Sequence, residues 1–242
     1  MSIELDKESH VYINTDNGDT YTSVTTFLSK FKKPFDKDFW SKKIAAREGV
    51  DPSVILDTWK TLTTSAQDRG TNIHSIMENF LKENRVEAGY EELIESFNKK
   101  TSAIIKKTSK ILSESIVYLH DFKLAGTADL IVENGNIFYV LDFKTNKKFN
   151  FQSKYNEYFL EPLDYLQQCE FTGYTLQLST YAYMYEQLTG KKCGGLKIFY
   201  LREFDGNFWQ EINCTYMRGT VEDMLKHKAR KDLESQQMID NS

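Results

Sequence analysis

The stretch Gly126 to Thr145, GTADLIVENGNIFYVLDFKT, carries two short apolar runs that flank Glu133-Asn134-Gly135-Asn136. Each run holds one aspartate, Asp129 and Asp142, and Lys144 follows the second. A carboxylate among apolar strand residues is costly unless something pairs with it. Asn-Gly between two such runs is a strong hairpin turn. Asp129 and Asp142 lie at similar distances on either side of it, so antiparallel pairing makes them near neighbours at one end of the hairpin. Two like charges there repel unless a cation sits between them. Hard oxygen ligands select Mg²⁺ or Mn²⁺. Lys144, two residues past Asp142, points to the same face. An ammonium beside a metal-bound water can orient or activate it for attack on a phosphate and steady the charge that develops. The plainer alternative is an Asp–Lys ion pair at a sheet end, and the hairpin alone favours neither.

A D-x-K triplet appears about once by chance in a chain of this length. This chain has a second, Asp121-Phe122-Lys123. It lies in a polar link with no acid placed before it, and is expected to be a surface turn. Two further patterns bear on the choice. His74 and Glu78 in RGTNIHSIMENF are four apart and share a helix face. Gln177 and Tyr181 in LQLSTYAYMY have the same spacing. Alone, the first reads as a helix-face His–Glu pair and the second as an amphipathic core helix.

The elements that must position these residues follow from pattern and punctuation. HVYIN, the Asn17-Gly18 turn and TYTSV read as a hairpin, after which Thr22 or Ser23 caps a helix through about Phe31. FDKDFWSKKIAAREG is a helix stopped at Gly49. DPSVILDTWKTLTT opens another with Pro52 in its first turn, and AQDRGTNIHSIMENFLKEN is a separate, longer one with Ile73, Ile76, Met77, Phe80 and Leu81 on one face. YEELIESFNKKTSAIIKKTS is amphipathic through Ile105. KILSESIVYLH, FKLAGTADLIVE and NIFYVLDFKT are three successive strands. A helix from about Tyr174 to Leu188 ends at Gly190, two strands turn at FDGN, and TVEDMLKHKARKDLESQ closes the chain as a charged helix. The order predicts a mixed α/β layer architecture around a central sheet.

The 242 residues are 40% hydrophobic and 27% charged, enough for one large core. No run of 18 apolar residues occurs, so no membrane span is expected. The first ten residues are polar and lack an apolar signal core. Cys169, Cys193 and Cys214 form no CxxC pair, which argues against zinc ribbons, iron–sulfur clusters and disulfide frameworks. A reducing cytoplasm, of a bacterium or a phage-infected cell, fits. A net charge of −4 argues against coating duplex DNA by charge alone. It does not argue against a nuclease, whose carboxylates gather around metal ions.

Taken in order, GTNIHSIME, SES-I-VY with LAGTADLIV, YVLDFKT and LQLSTYAY resemble the PD-(D/E)XK nucleases, in particular the RecB-like exonuclease branch that includes mitochondrial genome-maintenance and related phage exonucleases. YTSVTTFLSKF resembles the segment that opens that group, and the likeness covers about residues 20 to 202. It implies a restriction-endonuclease-like core over residues 66–242, with residues 1–65 as an N-terminal hairpin and helical segment packed on it. It implies that Asp129, Asp142, His74 and the carbonyl of Phe143 bind metal, with Glu78 beside them as a second-site ligand or water holder. Lys144 is then the catalytic lysine. Gln177 and Tyr181 match a helix that lines the site and contacts nucleic acid, and Glu114 matches the acid of the preceding strand. Ala128 stands where the superfamily's name has proline, as is common in this branch, and the iron–sulfur cysteines of some relatives are missing.

After Lys144, the segment KTNKKFNFQSKYNEYF alternates Lys147, Lys148 and Lys154 with Phe149, Phe151, Tyr155 and Tyr158. Basic residues for phosphates and rings for bases make a single-strand surface, whereas an ordinary loop would dock its rings into the core. Lys32 and Lys33 are weaker candidates. The expected activity is metal-dependent hydrolysis of DNA phosphodiester bonds, from single-stranded ends, in replication, recombination or repair. A helicase or single-strand binding protein is a fitting partner. A structure-selective or nicking endonuclease and a catalytically silent DNA-binding module are the alternatives, and intact Asp129, Asp142 and Lys144 speak against the last.

Overall fold

The computed structural model describes residues 2–6, 8–9, 11–202 and 208–240. Strands β1 (Ile3–Asp6), β2 (Val11–Asn14) and β3 (Thr20–Ser23) lead into helices α1 (Val24–Ser29), α2 (Lys37–Glu48), α3 (Pro52–Glu83) and α4 (Glu91–Thr101). Strands β4 (Lys110–Leu119), β5 (Leu124–Asn134) and β6 (Ile137–Lys144) follow, then α5 (Glu170–Thr189), β7 (Lys192–Leu201), β8 (Trp209–Cys214) and α6 (Arg218–Asp240). The expected central mixed sheet is present: β3–β5 and β6–β7 are parallel, and the other pairs are antiparallel.

Local chemistry sets most boundaries. The Thr26 N–H donates to Ser23 Oγ at 3.0 Å and caps α1. Asp51 caps α3, with Pro52 in its first turn. Gly190, at φ 68°, ends α5 in the left-handed region. The two helices expected between Pro52 and Asn84 are one helix of 32 residues. No proline interrupts it, and Thr58, Thr61 and Thr63 bond back to carbonyls four residues earlier instead of breaking the turn. It runs unbroken through residues 65 and 66, where the division between N-terminal segment and core was expected. Helix α4 stops at Thr101, short of the expected Ile105. Strand β1 was not anticipated in the polar N-terminus. The FDGN turn lies outside the described residues.

The sheet is covered on both faces. Val24, Phe27, Leu176, Met184 and Leu225 seal it against α1, α5 and α6. Ile76, Met77, Phe97, Phe143 and Trp209 seal the other face against α3 and α4. The Trp209 indole donates to the Leu93 carbonyl at 3.2 Å. The N-terminal strands join this sheet through β3, where Thr22 and Ser23 pair with Leu124 and Ala125.

Strand β5 is the branch point. One edge pairs with β4 along its length. The other edge takes β3 at Leu124 and Ala125, then β6 from Leu130 to Asn134. Among the described residues, 126–129 have no strand partner on that edge. Side-chain alternation also skips a residue here. Ala128 and Ile131 both pack toward α5 although three apart, as do Leu112 and Val117 on β4 although five apart. The chain thus opens a fork, with Asp129 at its mouth.

Gly126 keeps α5 against that fork. A Cβ there would lie 2.6 Å from Tyr181 Cε1 and 3.0 Å from Val24 Cγ2. Gly126→Ala should therefore cost about 1–3 kcal/mol through overpacking. The readout is a lower denaturation midpoint. Gly219→Ala, in α6 with nothing within 4 Å, should lose no stability. Equal midpoints for both variants would contradict this packing.

Candidate active site

The hairpin register sets the first part of the site. Leu130 faces Leu141, so Asp129 and Asp142 meet where pairing ends, as the turn distance predicts. The Phe143 N–H donates to Asp129 Oδ2 at 2.7 Å, so a side chain takes the place of the next strand rung. Asp142 is 2% exposed. Its Oδ2 lies 2.6 Å from Lys144 Nζ as an ion pair, yet it is buried without a well-directed hydrogen bond. Lys144 shares the strand face of Asp142, as the period of two requires. Its ammonium also sits 4.7 Å from the Tyr174 ring centre, a cation–π contact from α5.

Helix α3 and strand β4 supply the second part. His74 Nδ1 lies 3.5 Å from Asp129 Oδ1 and 3.9 Å from Glu114 Oε1, while Nε2 faces the Phe143 carbonyl at 3.0 Å. That carbonyl, expected as a metal ligand, thus orients the histidine in this structure. Glu114, at φ 49°, falls opposite Asp129 where the β4–β5 ladder skips a pair between Ser113–Leu130 and Ser115–Ala128. A left-handed glutamate within a strand is strained, and such strain collects at working sites. Glu78 is placed differently. It pairs with Lys82 at 2.6 Å, one turn along α3, and Glu114 occupies the position beside His74.

The charges are strongly coupled. Burial pushes Asp129 up, Asp142 adds to this, and opposing effects from His74 and Lys144 leave it at about 7. Burial works against charge on His74, but Glu114, Asp129 and Asp142 outweigh it and hold the imidazole at about 9. Burial likewise opposes the Lys144 ammonium, and Asp142 with Asp129 more than offsets it, so its pKa is raised. Lys144 is a fixed cation, suited to binding an anion rather than to accepting a proton.

The donor set suits a hard divalent ion. Ligand atoms of His74, Glu114 and Asp129 all lie within 4.8 Å of one another. Asp142, ion-paired with Lys144, lies beside them in the fork, and burial together with the Asp142 charge raises the Asp129 carboxyl.

The remaining candidates divide. The Gln177 amide donates to the Tyr181 hydroxyl at 2.9 Å, so the helix spacing brings them together. Tyr181, however, is 4% exposed and supports the fork from below rather than meeting a polymer. Phe149 packs on Phe171, Tyr174 and Tyr200, the core-docking alternative. Phe151 and Tyr155 are exposed, and Tyr155 stacks on Trp40 at 6.1 Å. Lys147 and Lys148 are exposed beside the site, as are Lys32 and Lys33 farther along the loop's path. Lys123 pairs with Asp19 at 3.2 Å on the surface, as expected of the second triplet. Two contributors went unseen in the sequence. Tyr174 could have been found, because it lies on the Gln177–Tyr181 face at helical spacing. Tyr12, whose hydroxyl meets Thr127 Oγ1 at 2.9 Å, gave no local signal.

Among the described residues, no helix is long and apolar enough to cross a membrane. No curated protein matches the chain. Among solved structures, it is similar to a candidate exonuclease from Eubacterium rectale at 13% identity. That likeness covers 88% of this chain and 80% of the other, with a TM-score of 0.42, and is too distant to carry an argument. The family model of the PD-(D/E)XK nuclease superfamily matches residues 52–238. The match runs from the start of α3 almost to the end of α6, and the chain belongs to the PD-(D/E)XK nuclease superfamily.

Proposed function

We propose that this nuclease hydrolyses DNA phosphodiester bonds from free single-stranded ends, with Mg²⁺ or Mn²⁺ as its cofactor. The observation that carries the reading is the cluster of His74, Glu114 and Asp129, whose ligand atoms all lie within 4.8 Å of one another, beside Asp142 and the fixed cation Lys144. His74, Glu114, Asp129 and Asp142 are the residues that would hold the ion. When bound, a divalent cation supplies Lewis-acid stabilisation of phosphoryl charge and acidifies water.

The chain's own residues do the rest. Lys144 stays protonated and donates hydrogen bonds to a non-bridging phosphate oxygen or to the attacking water, where negative charge develops. Asp142 and the Tyr174 ring hold its Nζ in position. The Phe143 backbone fixes two partners at once: its N–H orients Asp129, and its carbonyl turns the His74 Nδ1 toward the acids. The exposed rings of Phe151 and Tyr155, with Lys147, Lys148 and Lys154, favour a substrate whose bases are unpaired. Such an enzyme acts on ends that a helicase or single-strand binding protein keeps open, in replication, recombination or repair.

Metal binding should be pH-dependent. Below pH 7 both Asp129 and His74 carry protons that compete with the cation, and His74 keeps its proton to about 9. Calorimetric Mn²⁺ affinity should therefore rise steadily from about pH 6 to about pH 8, with proton release. EDTA and Asp142→Asn should each abolish cleavage in a folded protein. A Mn²⁺ affinity that does not change over this range would contradict the ligand set.

The two triplets should also part company. Lys144→Ala should lower the single-turnover rate by several orders of magnitude, about 4 kcal/mol of transition-state stabilisation or more. Lys123→Ala should be nearly silent, and equal impairment would contradict the role given to Lys144.

Substrate form gives a third test. Linear single strands should be cut much faster than blunt duplex, and closed single-stranded circles should resist. Phe151→Ala with Tyr155→Ala should raise KM more than it lowers kcat, at about 1–3 kcal/mol per lost stack. Cleavage of closed circles at the linear rate would favour the endonuclease reading.

A further inference from the structure

A cleft of about 500 Å³ opens beside the fork, where β6 and β7 end. Its volume is in the range of ligand sites. Its charge stands apart from that of the acidic chain. Arg69, Lys147, Lys148 and Arg202 line it, and no carboxylate does among the described residues. The rings of Phe149 and Tyr200 form part of its wall.

The cleft is tied to the site by short covalent and hydrogen-bonded paths. Lys147 follows Lys144 by three residues. Tyr200 is the β7 partner of Lys144, and Gln210 on β8, which also lines the cleft, is the partner of Tyr200. Arg69 lies five residues before His74 on α3, about 7.5 Å along the helix axis. The next residue, Gly70, approaches Thr145 so closely that a Cβ there would lie 3.4 Å from Thr145 Oγ1. Cations on three separate elements therefore converge on one groove, which starts two residues past the candidate catalytic lysine at Asn146.

We infer that this cleft is a subsite for the sugar–phosphate backbone of the unpaired strand next to the bond being cut. Arg69, Lys147, Lys148 and Arg202 would contact successive phosphates, and the Tyr200 and Phe149 wall would face the sugars and bases. The inference rests on the nuclease reading above and extends it to residues outside the acid cluster. The occupant is a single strand because phosphates spaced along a flexible chain can turn into a closed groove, whereas a duplex is stiff and presents its phosphates on a convex surface. The acidic overall charge makes such a local grip necessary.

The test is a salt titration of binding, by fluorescence anisotropy of an end-labelled oligothymidylate. It uses the full-length Asp142→Asn protein in EDTA, so that binding is read without cleavage. For single strands, log K falls with log salt by about 0.7 for each phosphate neutralised. Lys147→Ala with Lys148→Ala, both on an exposed loop, should weaken binding about ten-fold or more at low salt and flatten the slope by about 1.4. Arg202→Ala and Arg69→Ala should each weaken binding in the same direction. Lys231→Ala, which removes an exposed cation paired with Glu234 on α6, should leave the slope unchanged. Thermal melts identify any variant that fails to fold, and the exposed lysine pair carries the test if the Arg69 variant does. Unchanged slopes in the folded cleft variants would overturn the inference, as would duplex binding equal to single-strand binding. Loss of cleavage by the wild-type protein with every divalent ion tried would instead strike the nuclease reading, which the binding slope does not touch.

Discussion

Carboxylates that share a poorly solvated space repel one another, and the architecture around β5 is arranged about that repulsion. Two unit charges about 4 Å apart interact by about 4 kcal/mol at the effective dielectric near a protein surface, and by more where water is excluded. Asp129, Asp142 and Glu114 are brought to one fork by strand register, so the cost cannot be escaped by side-chain rotation alone. His74 and Lys144 offset part of it, while burial and the Asp142 charge keep the Asp129 carboxyl raised. The sheet branches there, Glu114 takes up a left-handed backbone, and Gly126 admits the Tyr181 ring beneath. A divalent cation held by these groups would supply countercharge there.

The far end of the same hairpin shows what a purely structural buried acid looks like in this chain. Glu133, 6% exposed, accepts a hydrogen bond from the Tyr185 hydroxyl and pairs with Lys191 at 2.5 Å. Burial pushes its carboxyl up, but Lys191 and Tyr185 outweigh that and hold it below the ordinary value. Asp129 shifts the other way. Two acids on one strand, with opposite shifts, separate an ion pair that serves the fold from a donor set whose chemistry suits a cation.

The site was legible in the sequence where its geometry is local. The Asn-Gly turn and the strand period bring Asp129, Asp142 and Lys144 together, and helical spacing joins Gln177 to Tyr181. Geometry that depends on distant partners was not legible. Nothing in its own neighbourhood tells Glu114 that it faces Asp129, or that its backbone must turn left-handed to reach His74. Glu78 shares a helix face with His74 but finds Lys82 first. Phe149 reads as a solvent-side ring among lysines, yet three aromatic neighbours from α5 and β7 draw it inward. The fold followed the same division. Capped and turn-bounded elements fell near their expected limits, whereas the continuity of α3 through a polar stretch and the pairing of β3 with β5 required the assembled sheet.

The most direct measurement is anomalous diffraction from crystals of the protein grown or soaked with Mn²⁺. A manganese peak is expected in the fork, with His74 Nδ1 and carboxylate oxygens of Glu114, Asp129 and Asp142 as its protein ligands, and Lys144 beside it but not bound to it. A fork without manganese at saturating concentration, with Asp142 still held only by Lys144, would contradict that expectation.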